Sequence, residues 1–363
     1  MPQKQIVVDA REFIRGKKTG IGCFLEGLID ALTETDLDIR IIMASFYSEA
    51  FTAKLRSKKN VIIKEIPASF LSSEKALSEL TKKGADLFIS PYRKLPIFGA
   101  HCKSVNTIHD VLDLTHPFYR NRTKAILDIF RLKRALKKAD LTWYDSSWSK
   151  DETKKLAGFT GRTPRVRYLG IDEKFVRDRM ENEREILKKY DLQPGYILVI
   201  GNGLPHKNLG VLLRISDNMS RRLVFVGVSE RNQIYWKRRY PEAKAVWVKY
   251  VEEEDLPMII RGAFCLAQPS TAEGYGYPPL EAMACGVPPV VSNIPVLIET
   301  TGGNALSANP ENPKEWLESF EALEDKDTYR TQVENGLKWV EPFRGRRGWG
   351  RHIADIEEIL LTR

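Results

Sequence analysis

The chain has 363 residues, 42% of them hydrophobic and 29% charged, which is the composition of a globular protein long enough for two domains. No apolar run reaches the roughly 18 residues that a membrane-spanning helix needs, and the first residues are typical of a strand rather than of a signal peptide. Its four cysteines (Cys23, Cys102, Cys265 and Cys285) lack the spacing of a metal site, so we expect a reducing, cytoplasmic compartment.

The positive charge is concentrated in the first half of the chain. The net charge is +9, and residues 1–170 carry 31 Lys and Arg against 19 Asp and Glu. A basic half is attracted to anionic partners such as a membrane surface, a pyrophosphate-linked acceptor or nucleic acid. No recognition motif for nucleic acid accompanies the charge, so we discount that partner. A membrane face and a merely solvated basic surface both stay open.

The first half of the chain alternates buried strands with helices. Residues 5–9 form a first strand, and Thr19-Gly20-Ile21-Gly22 is a glycine turn that leads into a helix over residues 23–32. A strand, a glycine turn and a helix form the first unit of a nucleotide-binding type of α/β domain. Further strands of a parallel sheet are predicted over residues 38–43, 61–66, 86–90, 104–109 and 141–147.

A histidine stands at the end of one predicted strand. His109 and Asp110 close the segment that begins at Ser104. This position is the carboxyl edge of the sheet, where open α/β folds bind their ligands. His109 is therefore a candidate site residue, although a lone histidine is often only structural.

A basic helix is predicted over residues 123–138. It carries the apolar residues Ile126, Leu127, Phe130 and Leu136 among many lysines and arginines. We expect this apolar stripe to pack on the sheet of its own domain and to leave a solvated basic face. Contact of the helix with anionic lipid is the alternative.

The second half contains two strand–loop units with polar residues in the loops. The strand over residues 195–200 leads into Gly201-Asn202-Gly-Leu-Pro-His-Lys207-Asn208. The strand over residues 263–268 leads into Glu273-Gly274-Tyr275-Gly276, and a short helix over residues 280–285 follows. Prolines precede this helix and Gly286 ends it, as is typical of helix boundaries.

The second loop has the residues of a nucleotide-sugar site. Backbone N–H groups near a helix start, reached through Gly274 and Gly276, can bind an anion such as a diphosphate. Glu281, inside the helix, would repel that anion and is better suited to accept hydrogen bonds from a ribose diol. Glu273 would accept hydrogen bonds from the hydroxyls of a second sugar.

The segment from Glu273 to Gly286 resembles the E-x7-E signature of the retaining glycosyltransferase family 4, which contains many bacterial mannosyltransferases. Some ten positions match in register, and the resemblance extends over nearly the whole chain. It implies a GT-B fold, in which two Rossmann-like α/β domains face a central cleft. The implied domains are an acceptor-side domain over residues 1–170, a nucleotide-sugar domain over residues 171–342, and a helix over residues 343–363 that crosses back to the first domain.

The resemblance also implies roles for single residues. Lys207 would neutralise the leaving diphosphate, and His109 would contact the donor sugar near the reacting carbon, with Glu273 as the third catalytic residue. Asp113 and Arg120 would lie on the acceptor side. The remaining donor-binding candidates are Gly20, Gly22, Asn202, Asn208, Gly274, Tyr275, Gly276, Leu280 and Glu281. Asn202 stands where some members of the family have a second phosphate-binding arginine, and His206 replaces another arginine.

The predicted activity is transfer of a hexose, with mannose favoured, from a GDP- or UDP-sugar to a saccharide or polyprenyl-diphosphate-linked acceptor in surface polysaccharide synthesis. We expect retention at the anomeric carbon, no cofactor and no metal requirement, and a cytoplasmic location with the inner membrane face as a candidate partner. The alternatives are an inactive nucleotide-sugar-binding subunit and a GT-B fold epimerase or phosphorylase. A nicotinamide dehydrogenase is disfavoured, because Thr19-Gly-Ile-Gly22 lacks the third glycine of the dinucleotide motif.

Overall fold

The computed structural model describes residues 3–14, 19–116, 122–178 and 181–361, without the side chains of residues 122–124. The chain divides into two compact units. The first contains Met1–Gly170 together with Gly345–Arg363, and the second contains Ile171–Arg344. Among the described residues, no helix is both long enough and apolar enough to cross a bilayer.

A parallel sheet of seven strands forms the centre of the first unit, in the order β3-β2-β1-β4-β5-β6-β7. Strand β1 lies between two neighbours, with Val7 opposite Ile42 on one side and opposite Phe88 on the other. The strands are β1 (Lys4–Asp9), β2 (Ile39–Ser45), β3 (Val61–Glu65), β4 (Leu87–Ser90), β5 (Lys103–Ile108), β6 (Leu141–Tyr144) and β7 (Pro164–Val166).

The helices that the described residues form before the second unit are α1 (Gly20–Thr33), α2 (Ala53–Arg56), α3 (Phe70–Lys82), α4 (Leu112–Thr115), α5 (Arg122–Lys138) and α6 (Ser147–Ala157). Helix α1 begins three residues earlier than the predicted start at residue 23. The reason is the cap, because the Thr19 hydroxyl accepts a hydrogen bond from the Gly22 N–H at 3.0 Å. Gly20 and Gly22 therefore lie in the first turn of the helix rather than in a loop before it.

Helix α5 exposes the apolar residues that the sequence pattern placed inside. Ile126, Leu127 and Phe130 are 69%, 67% and 66% exposed, so the expectation that they pack on the sheet is wrong, whereas Leu136 is buried as predicted. The buried face is built instead from smaller or later residues: Ala125, Leu132, Ala135 and Leu136. Alanines let a helix approach a sheet closely, and the larger side chains then fall on the opposite face.

The second unit has a parallel sheet of six strands in the order β10-β9-β8-β11-β12-β13. Both sheets start from a central strand and reverse direction beside it, which is the doubly wound arrangement of Rossmann-like domains. The predicted fold class is therefore confirmed. The strands are β8 (Tyr196–Ile200), β9 (Leu223–Val226), β10 (Ala245–Val248), β11 (Ala263–Gln268), β12 (Pro289–Ser292) and β13 (Leu306–Ala308).

Helices cover the second sheet around a core that includes Trp316 and Phe225. The helices of this unit are α7 (Glu183–Lys189), α8 (Leu209–Leu213), α9 (Glu230–Arg239), α10 (Leu256–Gly262), α11 (Tyr277–Ala284), α12 (Pro295–Thr300), α13 (Pro313–Ala322) and α14 (Lys326–Val340). Pro289 is compatible with β12 because it is the first residue of the strand.

The last helix, α15 (Gly345–Leu361), belongs to the first unit and packs on α1. Its Trp349 lies directly against Gly27 of α1, where an added Cβ would come within 2.6 Å of Trp349 Cζ2. Glycine at position 27 therefore allows the indole to fill the space between the two helices. The chain thus finishes in the same unit in which it starts.

A buried histidine of α15, His352, predicts a pH dependence of stability. Burial lowers the pKa of His352 from 6.5 to about 3, although the charge of Asp355 opposes this shift. The unfolded chain takes up a proton below about pH 6.5, which the folded protein does not do above about pH 3. We therefore expect His352 to lower the free energy of unfolding by about 2 kcal/mol between pH 7 and pH 5, with no effect above pH 7.

Urea unfolding of the wild type and of His352→Phe at both pH values measures this contribution. The phenylalanine variant should lack the extra loss of stability at pH 5. The other buried histidine, His109, has a raised pKa, so its contribution is present at low pH and is lost as pH rises through that pKa. Because His109 is unchanged in the variant, its contribution cancels in the difference. Parallel pH profiles for the two proteins would contradict the prediction.

Candidate functional site

Lys207 and Glu273 meet at the point where the strand order of the second unit reverses. Lys207 lies in the loop after β8 and Glu273 lies in the loop after β11, and these two strands are neighbours in the sheet. The carboxyl ends of parallel strands on either side of such a reversal form the ligand crevice of an open α/β sheet. The Lys207 Nζ is 2.6 Å from Glu273 Oε1. The sequence placed both residues in a site, and the structure adds that they form an ion pair.

Glu273 is a buried carboxylate that is held in its ionised form. Its Oε1 accepts hydrogen bonds from Lys207 Nζ, from Ser270 Oγ at 2.6 Å and from Gln268 Nε2. Burial by itself would raise the pKa of Glu273, but the charge of Lys207 and the hydrogen bonds from Lys207 and Ser270 outweigh burial and lower it. All three of these bonds go to Oε1. A carboxylate with this arrangement can accept a ligand hydroxyl through its other oxygen.

Hydrogen bonds to the backbone hold the loop that carries Lys207. Asn208 has a left-handed backbone, with φ 52°. Its amide donates to the carbonyls of Pro269 and Pro310 at 3.0 and 2.7 Å, so both amide hydrogens are engaged within the protein. Asn202 Oδ1 accepts from the Leu204 N–H at 3.1 Å. These two predicted donor-binding residues shape the loop, and the Thr271 N–H links it to the next loop by donating to the His206 carbonyl at 2.8 Å.

The glycine loop after β11 leads into α11, which starts at Tyr277 rather than at residue 280. Gly276 is the residue before the helix, with φ 90° and ψ 62°, and a Cβ there would come within 2.6 Å of Leu297 Cδ2. Only glycine adopts this conformation without strain. Pro278 and Pro279 follow and carry no N–H. The first turn of α11 therefore offers an anion fewer backbone donors than an ordinary helix start does.

Two further donor-binding candidates, Leu280 and Glu281, lie in α11. Glu281 is one turn into the helix and is partly exposed, as expected for a group that binds a ligand from the side. Leu280 is fully buried and Tyr275 is nearly so. The Tyr275 ring lies edge-on to the Tyr277 ring, with centroids 5.4 Å apart. These apolar side chains hold the loop in position from inside the unit. They expose little surface to a ligand.

In the first unit, His109 bridges the ends of neighbouring strands. Its ring lies directly after β5, with Nδ1 2.6 Å from Asp145 Oδ2 and Nε2 3.1 Å from the Pro91 carbonyl oxygen. Pro91 follows β4 and Asp145 follows β6. Burial would lower the pKa of His109, but the charge of Asp145 and its hydrogen bond raise it, with smaller contributions from Asp110 and Pro91. Both ring nitrogens face acceptors, an arrangement that favours the doubly protonated imidazole.

The backbone carbonyl of His109 is also engaged. It accepts a hydrogen bond from Ser149 Oγ at 2.8 Å. Its neighbour Asp110 has a raised pKa, chiefly because it is buried, although the Leu112 N–H and the charge of Arg93 oppose that shift. His109 therefore holds the edge of the sheet in shape. A direct contact with a sugar stays a prediction.

An open pocket of about 360 Å³ lies at the same edge of the first sheet. Arg93, Lys94 and Arg131 contribute cations to its wall, and Asp110, Asp113 and Asp128 contribute carboxylates. The pocket is also lined by His109 and by Ile21, which lies between Gly20 and Gly22 in the first turn of α1. The structure thus brings two of the predicted first-domain residues, His109 and Asp113, to one place.

Arg93 and Lys94 of this pocket lie in different electrostatic environments. Asp113 pairs with Arg93 at 2.5 Å. Burial lowers the pKa of Lys94, as do the nearby charges of Arg11 and Arg131.

The predicted acceptor-side residue Arg120 lies outside the described residues. Over residues 3–14, 19–116, 122–178 and 181–361, no cluster of three His, Cys, Asp or Glu side chains could hold a metal ion.

Several residues that complete these sites were not predicted from the sequence. Gln268 and Ser270 share Glu273 Oε1 with Lys207, and Asp145 orients His109. Asp145 follows a buried strand, so its position at the carboxyl edge could have singled it out. Arg93, Lys94 and Arg131 carried no such signal, because their convergence depends on the packing of α5 beside the loop after β4.

Comparisons with known proteins agree with this architecture. Residues 180–339 match the family described as "Glycosyl transferases group 1". The O-antigen chain mannosyltransferase B of Escherichia coli is 29% identical over 254 residues, which cover 66% of each chain. The O-antigen chain mannosyltransferase RfbU of Salmonella typhimurium is 26% identical over 226 residues, or 60% of each chain. The matches thus span less than two thirds of the length of these relatives.

Among solved structures, HepE of Anabaena in complex with UDP-glucose aligns with a TM-score of 0.79 and 18% identity, covering 98% of this chain and 99% of that one. At this identity the likeness shows the fold alone, and it extends over both units. Residues 180–339 are therefore similar to the glycosyl transferases group 1 family, in a chain with the GT-B fold and with curated mannosyltransferases among its relatives.

Proposed function

We propose that the chain is a retaining glycosyltransferase that transfers a mannosyl residue from a nucleotide-sugar donor, with GDP-mannose favoured, to a saccharide or lipid-linked saccharide acceptor. The observation that carries the proposal is the Lys207–Glu273 ion pair at the strand reversal of the second unit, with Nζ and Oε1 2.6 Å apart. The curated relatives named mannosyltransferases support the choice of sugar and of surface polysaccharide synthesis as the process.

The residues divide the work according to charge. Lys207 faces the diphosphate, and Glu281 accepts hydrogen bonds from the ribose. Glu273 accepts hydrogen bonds from hydroxyls of the transferred sugar through the oxygen that the ion pair leaves available. Glu273 holds the Lys207 ammonium group in place before the donor binds. The charge that meets the diphosphate is therefore already positioned.

The chemistry follows from this placement. The bond between the anomeric carbon and the diphosphate oxygen breaks, and a bond to the acceptor hydroxyl oxygen forms on the same face of the ring. The acceptor proton passes to the leaving diphosphate oxygen, so no protein base is needed. Lys207 and backbone N–H groups of residues 274–277 stabilise the negative charge that develops on the diphosphate. His109 contacts the donor sugar in this proposal, and no metal takes part.

A donor panel tests the proposal. We expect one nucleotide series among GDP-, UDP-, dTDP- and ADP-sugars to raise the Tm of the protein in the presence of EDTA, because a ligand that binds only the folded state stabilises it. With the matching donor and a saccharide acceptor, proton NMR of the product should show the anomeric configuration of the donor. An inverted product or a requirement for divalent metal would contradict the mechanism. Donor binding without transfer to any acceptor would favour an inactive binding subunit.

A further inference from the structure

An exposed face of the first unit combines large apolar side chains with cations. Helix α5 contributes Ile126, Leu127 and Phe130, all about two-thirds exposed. The start of α3 contributes Phe70 and Leu71, and the loop after β4 contributes Ile97 and Phe98, each also exposed. We name these seven residues and the basic residues of α5 beside them (Lys133, Arg134, Lys137 and Lys138) the apolar–basic face.

Specific contacts join the three segments into one surface. The Arg131 guanidinium of α5 lies over the Phe70 ring, 5.4 Å from its centroid. Arg134 donates to the carbonyls of Pro96 and Ile97 at 3.0 and 2.9 Å. The buried Glu74 of α3 accepts from the Ile97 N–H at 2.8 Å. These contacts hold α5, α3 and the loop in fixed positions relative to one another. The apolar side chains are therefore presented on an ordered surface.

The exposure of these side chains requires an explanation. Single exposed apolar residues are common on protein surfaces, but a contiguous group of this kind marks an interaction site. On α5 the residues Ile126 and Phe130 are one turn apart, and the exposed residues Lys133, Lys137 and Lys138 continue the same face toward the end of the helix. Apolar side chains followed by lysines on one helix face are typical of segments that lie in the interface of a membrane.

We propose that the apolar–basic face binds the surface of an anionic lipid bilayer, with the apolar side chains inserted at the level of the headgroups and the lysines on acidic phosphates. Charge selects this partner. A symmetric contact between two copies would place the lysine-rich ends of two α5 helices against the same surface, and like charges oppose that contact. The basic balance of residues 1–170, 31 Lys and Arg against 19 Asp and Glu, favours an anionic partner over a neutral one.

The same helix also borders the pocket of the first unit. Asp128 and Arg131 of α5 line that pocket, and the Arg131 guanidinium also lies over the Phe70 ring of the apolar–basic face. A bilayer on the apolar–basic face would therefore lie beside the pocket. For an acceptor anchored in lipid, which rests on the proposed function, this arrangement brings the saccharide to the enzyme within the plane of the membrane. The lipid binding itself does not depend on the transfer reaction.

Sedimentation with vesicles tests the proposal, using phosphatidylcholine with phosphatidylglycerol against phosphatidylcholine alone. The wild type should sediment with the anionic vesicles and should be released by high salt, which screens surface charge. The variant Lys133→Glu/Lys137→Glu should lose about 25-fold or more in partition coefficient, at roughly fivefold for each basic side chain removed from an anionic surface. The variant Ile126→Ser/Leu127→Ser/Phe130→Ser should lose at least about tenfold.

Matched controls separate this site from general surface effects. Ile234→Ser/Tyr235→Ser on α9 removes two side chains that are also about half exposed, and it should bind vesicles as the wild type does. The altered α5 residues are at the surface, so circular dichroism should show unchanged thermal unfolding. If the triple variant fails to fold, the charge reversal alone decides.

Two results would overturn the proposal: no sedimentation of the wild type with anionic vesicles, or equal sedimentation of the α5 variants. A wild-type dimer in solution that the α5 variants convert to a monomer would instead assign the face to a second copy of the chain. None of these measurements uses a sugar donor, so a failure here leaves the proposed transfer reaction untouched. Conversely, vesicle binding by a protein that transfers no sugar would support this inference alone.

Discussion

Replacement of Lys207 by alanine is expected to reduce kcat/KM for sugar transfer by about 10²–10³, because a single preorganised donor to a developing oxyanion contributes this much. The same change should weaken donor binding in a thermal-shift titration. It should also destabilise the second unit by about 3 kcal/mol, because the buried Glu273 loses its counter-charge. The pKa of Glu273 should then rise, since burial is no longer opposed by the Lys207 charge.

A second substitution separates these effects. Adding Glu273→Gln to Lys207→Ala removes the uncompensated charge, so stability should recover while donor binding and transfer stay low. Lys244→Ala, at an exposed lysine of the same unit, should match the wild type in all three measurements. Full activity and donor affinity in Lys207→Ala would remove Lys207 from the site and leave the ion pair as a structural feature.

Replacement of Asp355 by alanine is expected to destabilise the first unit by about 3 kcal/mol in urea unfolding. Asp355 lies in α15 and is almost fully buried. Its carboxylate accepts from Arg167 Nε at 2.7 Å, from Trp143 Nε1 at 2.8 Å and from Arg165. Removing the carboxylate leaves Arg167 and the buried indole N–H without this acceptor, while Arg165 keeps its pair with Glu358. The loss is costlier than that of one neutral hydrogen bond.

Glu358→Ala provides the control for this prediction. Glu358 is also in α15 and also pairs with Arg165, but its side chain is 60% exposed, so the free energy of unfolding should not change measurably. Asp355→Asn should fall between the two, because the amide keeps one acceptor oxygen for Trp143 or Arg167. Equal midpoints for Asp355→Ala and Glu358→Ala would show that the buried network does not anchor α15.

The fold could be predicted closely because its signals are local. Continuous apolar segments such as β8 and β11 stand out in the sequence, and glycines and prolines mark where they end. The boundaries were less accurate at two helix starts. The Thr19 side chain caps α1, which starts at Gly20, and the left-handed backbone of Gly276 precedes α11, which starts at Tyr277.

The candidate site divides along the same line. Lys207, Glu273 and His109 could be named because each follows a strand, and a parallel sheet presents such residues at one edge. Which residues they contact could not be predicted, because the contacts with Asp145, Gln268 and Pro91 depend on the packing of distant segments rather than on sequence spacing. Asn208 was predicted from the sequence as a donor-binding residue. The sequence did not indicate that its amide donates to the backbone carbonyls of two other loops.

By itself the sequence determined two nucleotide-binding type domains, their alternating strands and helices, and the loops that carry the candidate residues. Only the tertiary structure decided that β8 and β11 are neighbours, so that Lys207 and Glu273 form an ion pair. It also decided that α5 turns Ile126, Leu127 and Phe130 outward. The physical reason is that strand order and the buried face of a helix depend on which distant residues pack most closely, and a local pattern of apolar residues does not contain that information.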